Sequence, residues 1–224
     1  MKSSLLLFSF LVCSLLPCMG QTRQELETRY VSVMGDYARL YIGKVEVPYD
    51  TQLYKTLPYL NEDGSFHVGA VGTEELVYPE VALRFDVYLN QLVVESPHSH
   101  VRVVPRKENV QFFTLEGQRF VNCNGTFVRE EYAGKKLSLF TYIYKEQDYP
   151  DIQQARKRVQ FKSKWALWLV QDGKVKTVKS LSDLQALFPT RSQEIKRFAD
   201  EKKLKFNAKN RINSVKSIVE FLDS

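Results

Sequence analysis

The chain has 224 residues, 44% of them hydrophobic, with 32 Lys and Arg against 26 Asp and Glu, a formal net charge of +6 at pH 7. That length excludes a miniprotein held by staples and is enough to bury a sizeable core. Gly and Pro, at 10 and 8, are too few for a disordered chain, and of three Cys only Cys123 lies beyond residue 18, which excludes an intramolecular disulfide framework in the body.

Charge is unevenly placed. Residues 22–155 hold 14 Lys and Arg against 19 Asp and Glu, a net of −5, whereas residues 156–224 hold 17 against 7, a net of +10. The positive balance belongs to the C-terminal third and suits an anionic partner such as a membrane surface, an acidic polysaccharide or an acidic protein.

The first 20 residues have the order of a cleavable secretory signal. Lys2 supplies the basic start, residues 5–16 the apolar run, Pro17 the break, and Cys18-Met19-Gly20 the small residues before a cut that leaves Gln21 first. The run is too short for a mature spanning helix. A lipid anchor competes, since Leu15-Leu16-Pro17-Cys18 places a Cys three residues after a Leu, but Pro17 stands where peptidase access favours a small residue. No later stretch reaches the roughly 18 apolar residues of a spanning helix. The expectation is an exported protein, periplasmic, outer-membrane associated or secreted, with residues 1–20 removed.

From residue 40 the pattern is that of strands, beginning at residues 40–47 and closing at Pro48. After a loop with Glu62-Asp63-Gly64, residues 66–70 start the next strand. Val81, Leu83, Phe85, Val87 and Leu89 then alternate with Ala82, Arg84, Asp86, Tyr88 and Asn90, which predicts a half-buried strand with its odd-numbered face inward. Further strands are expected at residues 92–94, 101–104, 110–115, 119–121, 127–132, 137–145, 158–162, 165–170 and 174–178. Glu116-Gly117, Asn124-Gly125 and Asp172-Gly173 are the turns of successive hairpins. Short strands with short turns predict an antiparallel meander, curled into an open barrel or a sandwich.

The last 46 residues switch to helical spacing. Ser180-Leu181-Ser182-Asp183 is a capping box ahead of Leu184, Leu187 and Phe188, with Pro189 as the stop. Thr190-Arg191-Ser192-Gln193 reads as a second, leading into Ile195, Phe198 and Ala199. Ile212, Val215, Ile218, Val219 and Leu222 form a later apolar stripe. The organisation predicted is a signal (residues 1–20), a β-rich body (21–178) and a basic helical segment (179–224) packed on it, an α+β chain.

Chemistry is harder to find. The sequence has no zinc-protease, nucleophile-elbow, paired-cysteine, phosphate-loop or calcium-loop pattern, and no cofactor is expected. His98-Ser99-His100 is the one metal-like fragment, two His on one face if the segment is a strand, with His67 the only other His. Asp86 and the Glu130-Glu131 pair are candidate carboxylates for glycoside hydrolysis, but Asp86 alternates outward and the pair is expected to flank a hairpin. Asn124-Gly125-Thr126 is a glycosylation sequon that a turn explains. The charge-bearing candidates are Lys196, Arg197, Lys202, Lys203, Lys205, Lys209 and Arg211, a possible anion-facing surface. Nucleic acid is not the expected partner, because Phe198 and Phe206 fall on packing positions rather than between the charges.

Three stretches give the chain a wider resemblance: residues 43–48; Val77-Tyr78-Pro79-Glu80 running on to Tyr88 with Leu92-Val93-Val94 after its turn; and Lys179-Ser180-Leu181-Ser182-Asp183-Leu184 continuing to Lys203-Leu204-Lys205-Phe206. On these the chain resembles exported proteins of unknown function from Bacteroidetes-type bacteria. The resemblance implies a cell-envelope setting and no functional residues. The expectation is a non-enzymatic envelope protein that binds a partner or ligand with its β-rich body. A secreted hydrolase, and peripheral membrane or polyanion attachment through the basic tail, are the alternatives.

Overall fold

A computed structural model describes residues 35–149 and 158–224. The secretory signal, Cys13, Cys18 and the arm expected before residue 35 lie outside these. The chain divides into two units, residues 1–40 and 41–224. In the first, the described part is a single 3-10 turn, Gly35–Arg39.

The second unit is an antiparallel sheet of eleven strands: β1 (Gly43–Val45), β2 (His67–Gly72), β3 (Val77–Asp86), β4 (Gln91–Glu95), β5 (Arg102–Pro105), β6 (Phe112–Leu115), β7 (Gln118–Cys123), β8 (Thr126–Ala133), β9 (Leu137–Asp148), β10 (Gln160–Gln171) and β11 (Lys174–Val178). The order is β1-β5-β4-β3-β2-β6-β7-β8-β9-β10-β11, an open sheet. The antiparallel meander expected from the short turns is present, in two runs. Two meanders, β2 to β5 and β6 to β11, lie back to back, because β6 pairs with β2 rather than with β5.

Aromatic packing explains this join. Phe85 on β3, Phe113 on β6, Phe120 on β7 and Phe127 on β8 are almost fully buried, and their ring centroids lie 4.9–6.2 Å apart. In a flat sheet β3 and β8 would stand about 19 Å apart, four steps of ~4.8 Å. The contact between Phe85 and Phe127 shows that the sheet is strongly curled. Asn90, in the turn after β3, fastens the curl: its amide nitrogen donates to the Phe127 carbonyl (2.9 Å) and its amide oxygen accepts from the Phe127 N–H (2.8 Å).

Hairpin chemistry follows the sequence. Glu116-Gly117, Asn124-Gly125 and Asp172-Gly173 hold positive φ at both positions, 52° and 73°, 52° and 81°, and 49° and 72°. Such paired left-handed residues turn a strand back with the sheet's own twist. Some boundaries differ from the expected ones. Of residues 40–47 only Gly43–Val45 join a ladder. The strands expected at 158–162 and 165–170 are one, β10; the polar stretch between them stays in the ladder because Lys162 pairs with Asp148 (2.8 Å) and Lys164 with Glu146 (2.5 Å) across it. Leu89, expected inward, is 52% exposed because β3 ends at Asp86.

Three α-helices follow: α1 (Leu181–Leu187), α2 (Ser192–Glu201) and α3 (Arg211–Asp223). They share one core with β9–β11, in which Leu137, Leu139, Leu167, Leu169 and Val178 meet Leu184, Ile195, Val215, Ile218, Val219 and Leu222. The Ser180 capping box forms, with both reciprocal bonds. The second expected box does not. Pro189 opens a 3-10 turn, Pro189–Arg191, which takes up Thr190, and α2 starts from Arg191 with no side-chain cap. The far end is held by Asp223, whose carboxylate accepts from the N–H groups of Lys135, Lys136 and Leu137, each at 2.8 Å, and from the Tyr132 hydroxyl at 3.0 Å.

Candidate functional site

Two groups of charged residues stand out, one buried and one exposed. The buried group forms where the loop between β1 and β2 crosses the end of β3. Leu60 N–H donates to the Phe85 carbonyl and Val87 N–H to the Pro58 carbonyl, so the loop takes the ladder position that β2 leaves empty. Further back the same loop docks on the start of β10 through a parallel Tyr54–Val159 bridge. It therefore stitches β3 to β10 and seals what lies between.

Beneath it are Glu46, Arg84, Asp86 and Lys145, each less than 10% exposed. The Arg84 guanidinium pairs with Glu46 (2.5 Å), donates to the Gly64 carbonyl (2.6 Å), and lies over the rings of Tyr59 (4.0 Å) and Phe66 (4.4 Å). Tyr59 donates to the other Glu46 oxygen (2.8 Å). Asp86 accepts from Tyr49 (3.0 Å) and from the N–H groups of Tyr88 and Leu89. Lys145 donates to the carbonyls of Leu57 (3.0 Å) and Tyr59 (2.7 Å). Two carboxylates thus face two cations, and the polar atoms find partners except Arg84 Nε, which is buried without one.

Burial dominates their acid–base behaviour. It raises the Asp86 carboxyl above its ordinary range, against three hydrogen bonds that favour the charged form. It lowers the Lys145 ammonium, with Glu62 and Asp86 acting the other way. It raises the Tyr49 and Tyr59 phenols, helped by their carboxylate partners. Perturbed groups of this kind mark active sites when a substrate can reach them. Here the loop and its tyrosines cover them, and the hydrogen bonds are internal. The arrangement is a structural lock that fixes the loop.

The outward placement expected for Asp86 is thus corrected: it is fully buried, because the loop lies over the face of β3 that was expected to meet water. Glu130 and Glu131 do not flank a hairpin. They lie within β8 at a bulge, Glu131 held by Arg129 (2.8 Å) and Thr141 (2.6 Å), Glu130 near Arg119 (3.8 Å). His98 and His100 are not on a strand but in the exposed connection between β4 and β5, with His100 beside Glu95 (3.3 Å). His67 is engaged by Ser65 and Glu116. Among the described residues no three His, Cys, Asp or Glu gather as a metal requires. Cys123 is half-buried, and burial raises its thiol above the ordinary value.

The exposed group is the one read from the sequence. Lys196, Lys202, Lys203, Lys205 and Lys209 are exposed on α2 and the link to α3. None of them has an ion pair among the described residues, whereas the neighbouring acids are mostly committed. Glu194 pairs with Arg191, Glu201 with Arg197, and Glu220 with Lys216, while Asp183 and Asp223 cap backbone amides. Two of the expected residues separate from the set. Arg197 is paired at 3.7 Å, and Arg211 is half-buried over the Trp165 ring (5.3 Å).

Lys202, Lys203 and Lys205 border two adjoining grooves that the sequence did not reveal. One, of about 510 Å³, is lined by Phe198, Lys202, Leu204, Ser217, Phe221 and Glu220, the last paired with Lys216. The other, of about 360 Å³, includes Lys203, Lys205, Asn210 and Asn213, and the two share Leu204 and Ser217. Phe198 and Phe221 stack at 4.4 Å. A third groove, of about 560 Å³, lies between β1 and the β5–β6 link, lined by Ile42, Leu89, Arg106 and Lys107 among others. Its Lys107 is already engaged by Asn90 (3.1 Å). Comparison with family models, curated proteins and solved structures returned no match, so the chain's own chemistry carries the functional reading.

Proposed function

We propose that this chain is an exported cell-envelope protein that works by binding, and that its binding face is the basic surface of α2 and the α2–α3 link. One observation carries the choice of face: five exposed lysines without ion pairs stand on α2 and the α2–α3 link, where Glu194 and Glu201 are paired with arginines and Asp200 is the one acid without an ion pair among the described residues. An uncompensated positive surface attracts an anionic partner, and ionic strength screens that attraction. The closed character of the Glu46–Arg84–Asp86–Lys145 group favours binding over catalysis. Export is supported by the order of features in residues 1–20, and the envelope setting by the resemblance to exported Bacteroidetes-type proteins.

The test uses the full mature chain, immobilised and exposed to envelope extract. The expected result is a reproducible partner that elutes as salt is raised and is not retained by a variant with Lys202, Lys203 and Lys205 changed to Glu. Retention indifferent to salt and to these lysines would refute the choice of face. Mass spectrometry of the chain from its native source checks export: the expected N-terminus is Gln21, and an intact Met1 would overturn it.

A further inference from the structure

We infer that the paired grooves between α2 and α3 take an acidic peptide segment carrying an apolar anchor; this rests on the reading of that face as the binding surface and names its partner class. The anchor belongs over Phe198, Leu204 and Phe221, and the acidic flank against Lys203 and Lys205. Three observations favour a peptide over a lipid surface. The apolar side chains that line the first groove, Phe198, Leu204 and Phe221, are each half-buried rather than protruding. None of the large hydrophobics that are well exposed lies in residues 179–224, so nothing there is ready to enter a bilayer. And the mainly apolar groove and the mainly basic one adjoin, sharing Leu204 and Ser217, which suits a chain that carries both chemistries in sequence.

The end of α2 sharpens the case. Lys203 N–H donates to the Asp200 carbonyl and Leu204 N–H to the Ala199 carbonyl, the paired bonds of a Schellman ending. Lys203 occupies the left-handed position of that motif, with φ 51°. Glycine is the residue that fits there without steric cost. This chain places a lysine at that position, and Lys203 lines the second groove.

The glycine substitution therefore separates binding from folding. The full mature chain is titrated, by fluorescence anisotropy, with a labelled short peptide whose Leu-Phe centre is flanked by glutamates. A lysine-flanked counterpart and phosphatidylglycerol vesicles serve as comparisons. Saturable binding of the glutamate peptide alone is expected, weakened about threefold to tenfold by Lys203→Gly and by Lys205→Ala. Lys203→Gly is expected to melt at a higher temperature than the parent, so its weaker binding would not reflect unfolding. Equal binding of the lysine-flanked peptide, no saturation, or unchanged affinity in both variants would overturn the inference, as would lysine-dependent binding of the vesicles without binding of the peptide. If the peptide fails while lysine-dependent retention from envelope extract persists, the partner class alone is wrong. If both fail, the binding face is wrong too.

Discussion

Removing Glu46 is the sharpest probe of the buried group. Its side chain is 2% exposed and that of Arg84 8%, so solvent screens the pair little. In Glu46→Leu the guanidinium keeps the Gly64 carbonyl and two ring faces but loses its counter-charge, and the Tyr59 hydroxyl loses its acceptor. Breaking one side of a buried pair costs about 3–5 kcal/mol. With a urea dependence of about 2 kcal/mol per M for a chain of this size, the unfolding midpoint should fall by about 2 M. Trp165 and Trp168 on β10 supply the fluorescence signal. Replacing the whole set, with Glu46→Leu, Arg84→Met and Tyr59→Phe together, should recover most of the loss, because no charge or hydroxyl is then left buried alone. A single-variant cost within about 0.5 kcal/mol, or costs that simply add, would refute the lock.

Because burial raises Asp86, the folded chain holds that proton more tightly than the unfolded one; the resulting stability is full below the ordinary carboxyl value of about 3.9 and is lost as pH rises through the raised value. The stability of the parent relative to Asp86→Asn should therefore decline as pH rises through this window in urea titrations, and a flat or rising difference would contradict the assignment. Ser180→Ala removes one half of the capping box and should cost about 1 kcal/mol, read as a melting temperature about 2–4 °C lower. Partial desolvation pushes Asp223 up, but the amides of Lys136, Lys135 and Leu137 and the Tyr132 hydroxyl outweigh it and hold the carboxyl below its ordinary value. Asp223→Ala should speed hydrogen exchange at those three amides. In the parent the same loss should appear as pH falls through the depressed value, and unchanged exchange would show that α3 is held without this contact.

Local chemistry made much of the fold readable. The three Gly-containing hairpin turns, the Ser180 box and the apolar stripe of α3 are each fixed by neighbours in sequence. The pairing of β6 with β2 is not, since it is decided by four phenylalanines that meet only once the sheet has curled. The outward placement of Asp86 fails for a similar reason: the alternation along β3 is genuine, but a distant loop covers its polar face. One signal did point there. Leu92, Val93 and Val94 are apolar without a break, as in a strand buried on both sides, and Val93 is the ladder partner of Arg84. At the candidate site the lysines were visible one by one. Their freedom from partners, and the groove they border, depend on where Glu194, Glu201, Glu220 and Asp223 find partners, which spacing alone does not reveal.

Binding is assigned to the α2–α3 face. Hydrogen-exchange mass spectrometry of the full mature chain, with and without the glutamate-flanked Leu-Phe peptide, tests it most directly. Added protection over residues 198–221, with little change elsewhere, is the expected result. Protection centred instead on Ile42, Leu89 and Arg106, around the groove beside β1, would contradict it.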